Sequence, residues 1–141
     1  MKYSVLYFSH TNLHPYFEKD ENCVQIVMSS EDIVSLAKNP HKKVQLVSQT
    51  GKIYYDLFNA LKAVSQENVI LVEADDISEN EIQKVITKLS EYPAVSYEEK
   101  IQGFDTRLLM FCLQYAIELN LEIDSYIQTV SMFAKTPIAH V

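Results

Sequence analysis

A chain of 141 residues with 48% hydrophobic and 22% charged side chains has the size and composition of one globular domain with one core, spanning residues 1–141. Its formal net charge of −7 repels a polyanionic backbone and sets nucleic acid aside as a partner, since His41-Lys42-Lys43 is the only tight basic cluster. No apolar run approaches the roughly 20 residues of a membrane helix, the N-terminus is a poor signal peptide, and Cys23 and Cys112 make no CxxC pair; the expectation is a cytoplasmic protein with reduced, partly buried thiols and no membrane partner.

Tyr3 to Phe8 is β-branched and aromatic, ends at the polar Ser9-His10-Thr11-Asn12, and reads as a buried first strand. Val24 to Met28 reads as the second. Ser29-Ser30-Glu31-Asp32 then supplies an N-cap and first-turn acids for a helix over about 30–38, which Asn39-Pro40 stops. Val44 to Val47 is a third strand. Thr50-Gly51 opens a helix whose Ile53, Leu57, Ala60, Leu61 and Val64 form an apolar stripe. Val69 to Glu73 suits a central strand buried on both faces. A capping box at Ser78-Glu79-Asn80-Glu81 starts a helix through Ile82, Val85, Ile86 and Leu89. Pro93 to Tyr97 is a further strand, Phe104 to Leu119 a helix capped by Asp105 and lined by Leu108, Leu109, Phe111, Cys112, Tyr115 and Ala116, and the last helix runs from about Ile123 to Phe133.

Strands alternating with amphipathic helices imply βαβ units: a three-layer, Rossmann-like α/β domain with a mainly parallel sheet and helices on both faces. Such sheets bind ligands beyond the carboxyl ends of their strands, here after Phe8, Met28, Val47 and Glu73.

Two glycines, Gly51 and Gly103, cannot build the glycine-rich loop that wraps phosphates, and they exclude a GxSxG nucleophile elbow. Glu73-Ala74-Asp75-Asp76 stands where carboxylates hold Mg²⁺ against a substrate phosphate, although Asp75 and Asp76 equally suit the approach to a helix N-terminus. His10 and His14 have i, i+4 spacing and, with Cys23 or His140, are a candidate soft-metal set, but Asn12 and Pro15 favour a loop that does not guarantee a shared face. Cys112 reads as core. Nine tyrosines and six phenylalanines, with Tyr54, Tyr55 and Phe58 partly outward on their helix, point to packing first and to a protein-partner surface second.

The order of segments resembles the 2-C-methyl-D-erythritol 4-phosphate and ribitol 5-phosphate cytidylyltransferases over most of the chain. Val24 to Ile33 is similar to the family's second strand and helix start; Lys52 to Val64, with Phe58-Asn59-Ala60-Leu61-Lys62-Ala63, resembles its "S-V-x-N-G-L-x-A-L" helix. Val69 to Asp76 stands where the family has "V-L-V-H-D-x-x-R", Gln102 to Leu109 resembles the segment after "T-P-Q", and Glu122 to Ser125 resembles "T-D-D-A-S".

The departures fall on the family's active site. The "A-A-G-x-G-x-R" loop and its helix have no counterpart after Phe8, the metal-binding aspartate aligns with Ala74, and Asp75 replaces it only if the backbone shifts by one residue. The motif arginine is missing, Ser90 to Ile101 is too short for the substrate loop and dimer arm, and no "D-N-x-K" segment precedes Val141. The resemblance therefore implies a nucleotidyltransferase-fold domain without catalysis, acting in binding, regulation or oligomerisation, with no cofactor and with a second copy or another protein as partner. The alternative is an active sugar-phosphate cytidylyltransferase with a rebuilt Mg²⁺ site: Glu73, Asp75 and Asp76, with Asp75 and Asp76 on the metal and His10 or His14 as phosphate ligand or base.

Overall fold

The computed structural model describes residues 1–9, 12–31, 43–122 and 125–141. In chain order these form β1 (Tyr3–Phe8), α1 (Pro15–Lys19), β2 (Cys23–Ser30), β3 (Val44–Ser48), α2 (Ile53–Ala63), β4 (Asn68–Val72), α3 (Glu79–Leu89), β5 (Ala94–Tyr97), β6 (Ile101–Asp105), α4 (Thr106–Glu118), α5 (Tyr126–Phe133) and β7 (Ile138–His140). The strands make one seven-stranded sheet in the order β3-β2-β1-β4-β6-β5-β7. All pairs are parallel except the two that β6 makes, with β4 and with β5. Only three residues separate β5 from β6, too few for a crossover, so β6 must return antiparallel.

Period-two alternation in the strands builds two cores, one on each face of the sheet. Tyr3, Val5 and Tyr7 of β1 and Ile70 and Val72 of β4 face α1 and α3, meeting Phe17, Ile82, Val85 and Leu89. Leu6, Phe8, Val69 and Leu71 face the other way, onto Leu57 and Leu61 of α2, Leu109 and Leu113 of α4 and Val130 of α5. The three-layer α/β architecture expected from the sequence is present. Cys23 and Cys112 are buried on opposite faces, and burial pushes the Cys23 thiol up to about 11.

Several local expectations need correction. Ser29 and Ser30 continue β2, on the ladder opposite Val47 and Ser48; the helix expected over 30–38, with its cap, falls on residues that lie largely outside those described. Thr50 and Gly51 precede α2, which begins at Ile53, and Ile53 is 62% exposed instead of joining the apolar stripe. Phe104 belongs to β6, a strand the helical periodicity concealed; Asp105 ends that strand and caps α4 by accepting from the Leu108 N–H at 3.0 Å. Phe111 and Tyr115 lie on the outer face of α4, at 50% and 44% exposure, rather than in its core stripe. The last helix starts at Tyr126, behind Ser125 as cap. The short β7 and α1 carry no periodicity that a sequence reading could catch. In α1 Pro15 occupies the first helical position, where its missing N–H costs nothing, and His14 is the cap.

Gly103 is needed for close packing: a Cβ there would stand 3.0 Å from Leu89 Cδ2 and 3.2 Å from Ile70 Cδ1 and Val85 Cγ1, so α3 rests directly on β6.

Candidate functional site

The carboxyl ends of β1, β2 and β3 are tied together by side chains. Ser9 leaves β1 with φ of 64°, in the left-handed region, and its N–H donates to the Ser29 carbonyl at 2.8 Å. Gln49 Nε2 donates to the Ser29 carbonyl at 3.0 Å and reaches Ser29 Oγ and Ser9 Oγ, both at 3.1 Å. Both glycines are committed elsewhere. Gly103 lies under α3, and Gly51, at φ 95°, forms the turn into α2, where its N–H donates to Asp56 at 2.9 Å. Asp56 is buried and also accepts from the N–H and hydroxyl of Thr50, each at 2.8 Å. Burial alone would raise its pKa, but these hydrogen bonds outweigh it and hold the carboxyl below its usual range.

Immediately after β4 the Glu73 N–H donates to the Lys100 carbonyl at 2.8 Å, and the Glu73 side chain lines a pocket of about 190 Å³. Glu99, from the β5–β6 turn, and Gln102, from the start of β6, share this pocket with Tyr54 at the head of α2 and with Ser125 and Tyr126 at the head of α5. Lys100 N–H to Tyr97 carbonyl, 2.9 Å, closes that turn, and Glu98 (φ 48°) and Glu99 (φ 58°) both take left-handed conformations that asparagine and glycine usually fill. Burial, and then the neighbouring Glu99, push the Glu73 carboxyl up to about 7. Burial, and then Glu73, raise the Tyr126 hydroxyl above its ordinary value. Glu73 Oε1 and Gln102 Oε1 are buried without a hydrogen-bond partner.

The residues singled out from the sequence are dispersed along this edge. His10 lies outside the described residues. His14 is a structural cap: its Nδ1 accepts from the Tyr16 N–H at 3.1 Å, its own N–H donates to Tyr7 Oη at 2.9 Å, and its ring packs edge-on against Phe17. Asp75 accepts from Asn12 Nδ2 at 3.2 Å, whereas Asp76 pairs with Lys100 Nζ at 2.9 Å, and Lys100 holds its carboxyl below the usual range. Cys23 and His140 sit on strands separated by four others, so they cannot join one metal site. Among the described residues, no three His, Cys, Asp or Glu side chains gather where they could hold a metal ion. Among the described candidates Glu73 alone lines the pocket. Glu99 and Tyr126 were missed, and nothing in a Glu-Glu-Lys turn or a helix start distinguishes them; Gln102 was marked only through its resemblance to the "T-P-Q" segment.

A six-to-one mixed sheet with helices on both faces and a pocket at the strand carboxyl ends makes a Rossmann-like α/β fold. Within that class the chain has the cytidylyltransferase fold. It superposes on 4-diphosphocytidyl-2C-methyl-D-erythritol synthase from Anaerococcus prevotii with a TM-score of 0.80, at 13% identity over 99% of this chain and 86% of that one. The 2-C-methyl-D-erythritol 4-phosphate cytidylyltransferase of Thermus thermophilus gives 0.74, at 16% identity over 100% and 88%. That of Francisella tularensis gives 0.79, at 12% identity over 99% and 90%. No protein-family model and no curated protein matches the sequence. Among the described residues no helix is long and apolar enough to cross a membrane.

Proposed function

We propose that this chain is a cytidylyltransferase-fold domain that has lost nucleotidyl transfer and serves as a binding and oligomerisation module. The observation that carries this reading is the closure of the β1–β3 edge by Ser9, Ser29 and Gln49 in place of a glycine loop. Phosphate cradling needs backbone N–H groups free to approach the anion, and here the Ser9 N–H is already spent on the Ser29 carbonyl. Two further facts agree with it. Asp76 is occupied by Lys100, and the one pocket-facing acid of the β4 end, Glu73, sits beside a second acid, so a triphosphate would meet like charge. Each lost oriented donor typically costs on the order of 10²-fold in rate.

One observation favours the second reading, an active transferase with a rebuilt Mg²⁺ site. A carboxyl pushed up to about 7 is suited to proton transfer near neutral pH. The deciding experiment incubates the protein with CTP, Mg²⁺ and methylerythritol or ribitol phosphate and follows pyrophosphate release. No turnover above background is expected; turnover abolished by Glu73→Gln or Asp75→Ala would establish the second reading instead.

A further inference from the structure

We infer that the pocket between Glu73, Glu99 and Gln102 is a receptor for a small organic cation, a primary ammonium held by those three side chains against the rings of Tyr54 and Tyr126.

The Glu73 and Glu99 carboxyl groups and the Gln102 amide oxygen all offer acceptors here, and no basic residue is among the described residues that line the space. Gln102 is 2% exposed, yet its Oε1 has no hydrogen-bond partner, and the same is true of the buried Oε1 of Glu73. A buried acceptor left unpaired costs about 1–3 kcal/mol, and natural structures rarely carry two in one pocket unless a donor arrives there. The Gln102 amide is assigned with Nε2 donating to the Glu99 carbonyl at 3.4 Å, which leaves Oε1 as the end without a partner. The missing partner is a donor, and above about pH 7, where Glu73 has given up its own proton, a cation meets the two carboxylates as well.

An ammonium fits better than a metal ion. Only two carboxylates converge, short of a divalent cage, and no third His, Cys, Asp or Glu stands near among the described residues. Three N–H donors match Glu73, Glu99 and Gln102 in number, while the Tyr54 and Tyr126 rings supply faces that attract cations. The first turns of α2 and α5 add roughly half a positive charge each at the rim, which the two carboxylates exceed once Glu73 is ionised above about pH 7. A volume of about 190 Å³ equals some six waters at about 30 Å³ each, so the guest is a short alkylamine rather than a nucleotide. The strained turn that carries Glu99 over Glu73 is the backbone cost of this arrangement.

The test is a titration of the isotopically labelled protein with n-butylammonium chloride, observed through backbone amide shifts, with n-butanol, sodium butyrate, magnesium chloride and CTP as parallel probes. Butylammonium is expected to shift the Glu73, Ile101 and Gln102 amides with millimolar affinity, while the alcohol and butyrate do not. Glu73→Gln and Gln102→Met, each checked for folding by thermal melting, should each weaken it at least about tenfold, a loss of about 1.4 kcal/mol. No shift at about 50 mM butylammonium, some twelvefold above a millimolar constant of about 4 mM, would overturn the inference. So would equal affinity in both variants, or tighter binding of Mg²⁺, butyrate or CTP at the same amides. The inference rests on the binding-module reading only in the absence of a triphosphate from this edge; pyrophosphate release measured separately fails or succeeds independently of the amine titration.

Discussion

The amide nitrogen of Glu73 lies 2.8 Å from the carbonyl oxygen of Lys100, and this bond separates two acids that are near neighbours in sequence. It extends the β4–β6 ladder past Val72 and Ile101, after which Glu73 turns into the pocket and Asp76 meets the Lys100 ammonium outside it. One acid is desolvated and the other is paired in water.

Glu73 should therefore leave a mark on stability that Asp76 does not. Its folded pKa of about 7 exceeds the ordinary 4.5, so the folded state binds the extra proton between those values and stability falls as pH rises through that window. At 1.36 kcal/mol per unit the effect is on the order of 3 kcal/mol. Urea unfolding of Glu73→Gln should lack this decline and leave the variant more stable than wild type at pH 8. Parallel pH profiles for the two proteins would contradict the assignment.

Asp56 has the opposite sign. Its carboxyl is held below its usual range, so its contribution is complete above the ordinary carboxylate pKa and disappears as pH falls through the lowered folded value. Asp56→Ala strands the donors of Thr50 and Gly51 and should cost about 2–3 kcal/mol at pH 7. Chemical denaturation at pH 7 and pH 3 should show the penalty shrinking at the lower pH.

Gly103→Ala should lower the thermal midpoint by overpacking, about 1–3 kcal/mol, because its new methyl meets Leu89, Ile70 and Val85 and all three are held in the core. Gly51→Ala finds open space and should lose only about 1 kcal/mol, from its positive φ. A larger loss at Gly51 than at Gly103 would mean that α3 can lift from the sheet.

The outer face of α4 provides the test of self-association. Phe111, Tyr115 and Leu119 recur at four-residue spacing and are exposed, with Phe111 4.9 Å from Tyr115 and Tyr115 stacked 5.7 Å from Phe133 of α5. Light scattering should give a dimer for the wild type and a monomer, with unchanged circular dichroism, for Phe111→Glu combined with Leu119→Glu. A monomeric wild type at micromolar concentration would refute it.

The fold was legible where the chain repeats one rule over enough residues. Val69–Val72 reads as a buried strand from composition alone, and Ser78 with Glu81 announces α3, where the observed box has Ser78 Oγ accepting from the Glu81 N–H and the Glu81 carboxylate accepting from the Ser78 N–H. Helix periodicity overran β6 because Phe104 and Leu108 share an i, i+4 spacing across a strand–helix junction that only the Asp105 cap betrays. The pocket was legible least. Glu73 stood out as the end of a strand, but its partners arrive from a turn, an antiparallel strand and two helix starts, and that convergence follows from strand order, which no local pattern encodes.

The tight turn between β5 and β6 also bears on how the chain assembles. Among the described residues it is the one strand pairing that needs no long chain excursion, whereas β1 must await β2 and then β4 before its ladders can form. Loop-closure entropy then favours the β5–β6 hairpin as an early partner for α4, with the parallel strands joining late. In stopped-flow refolding, Val95→Ala should slow the folding rate, while Val27→Ala should mainly speed unfolding. The two left-handed glutamates at the hairpin tip would then tax the rate at which the domain forms as well as its final stability, and replacing Glu98-Glu99 by Asn-Gly should accelerate refolding.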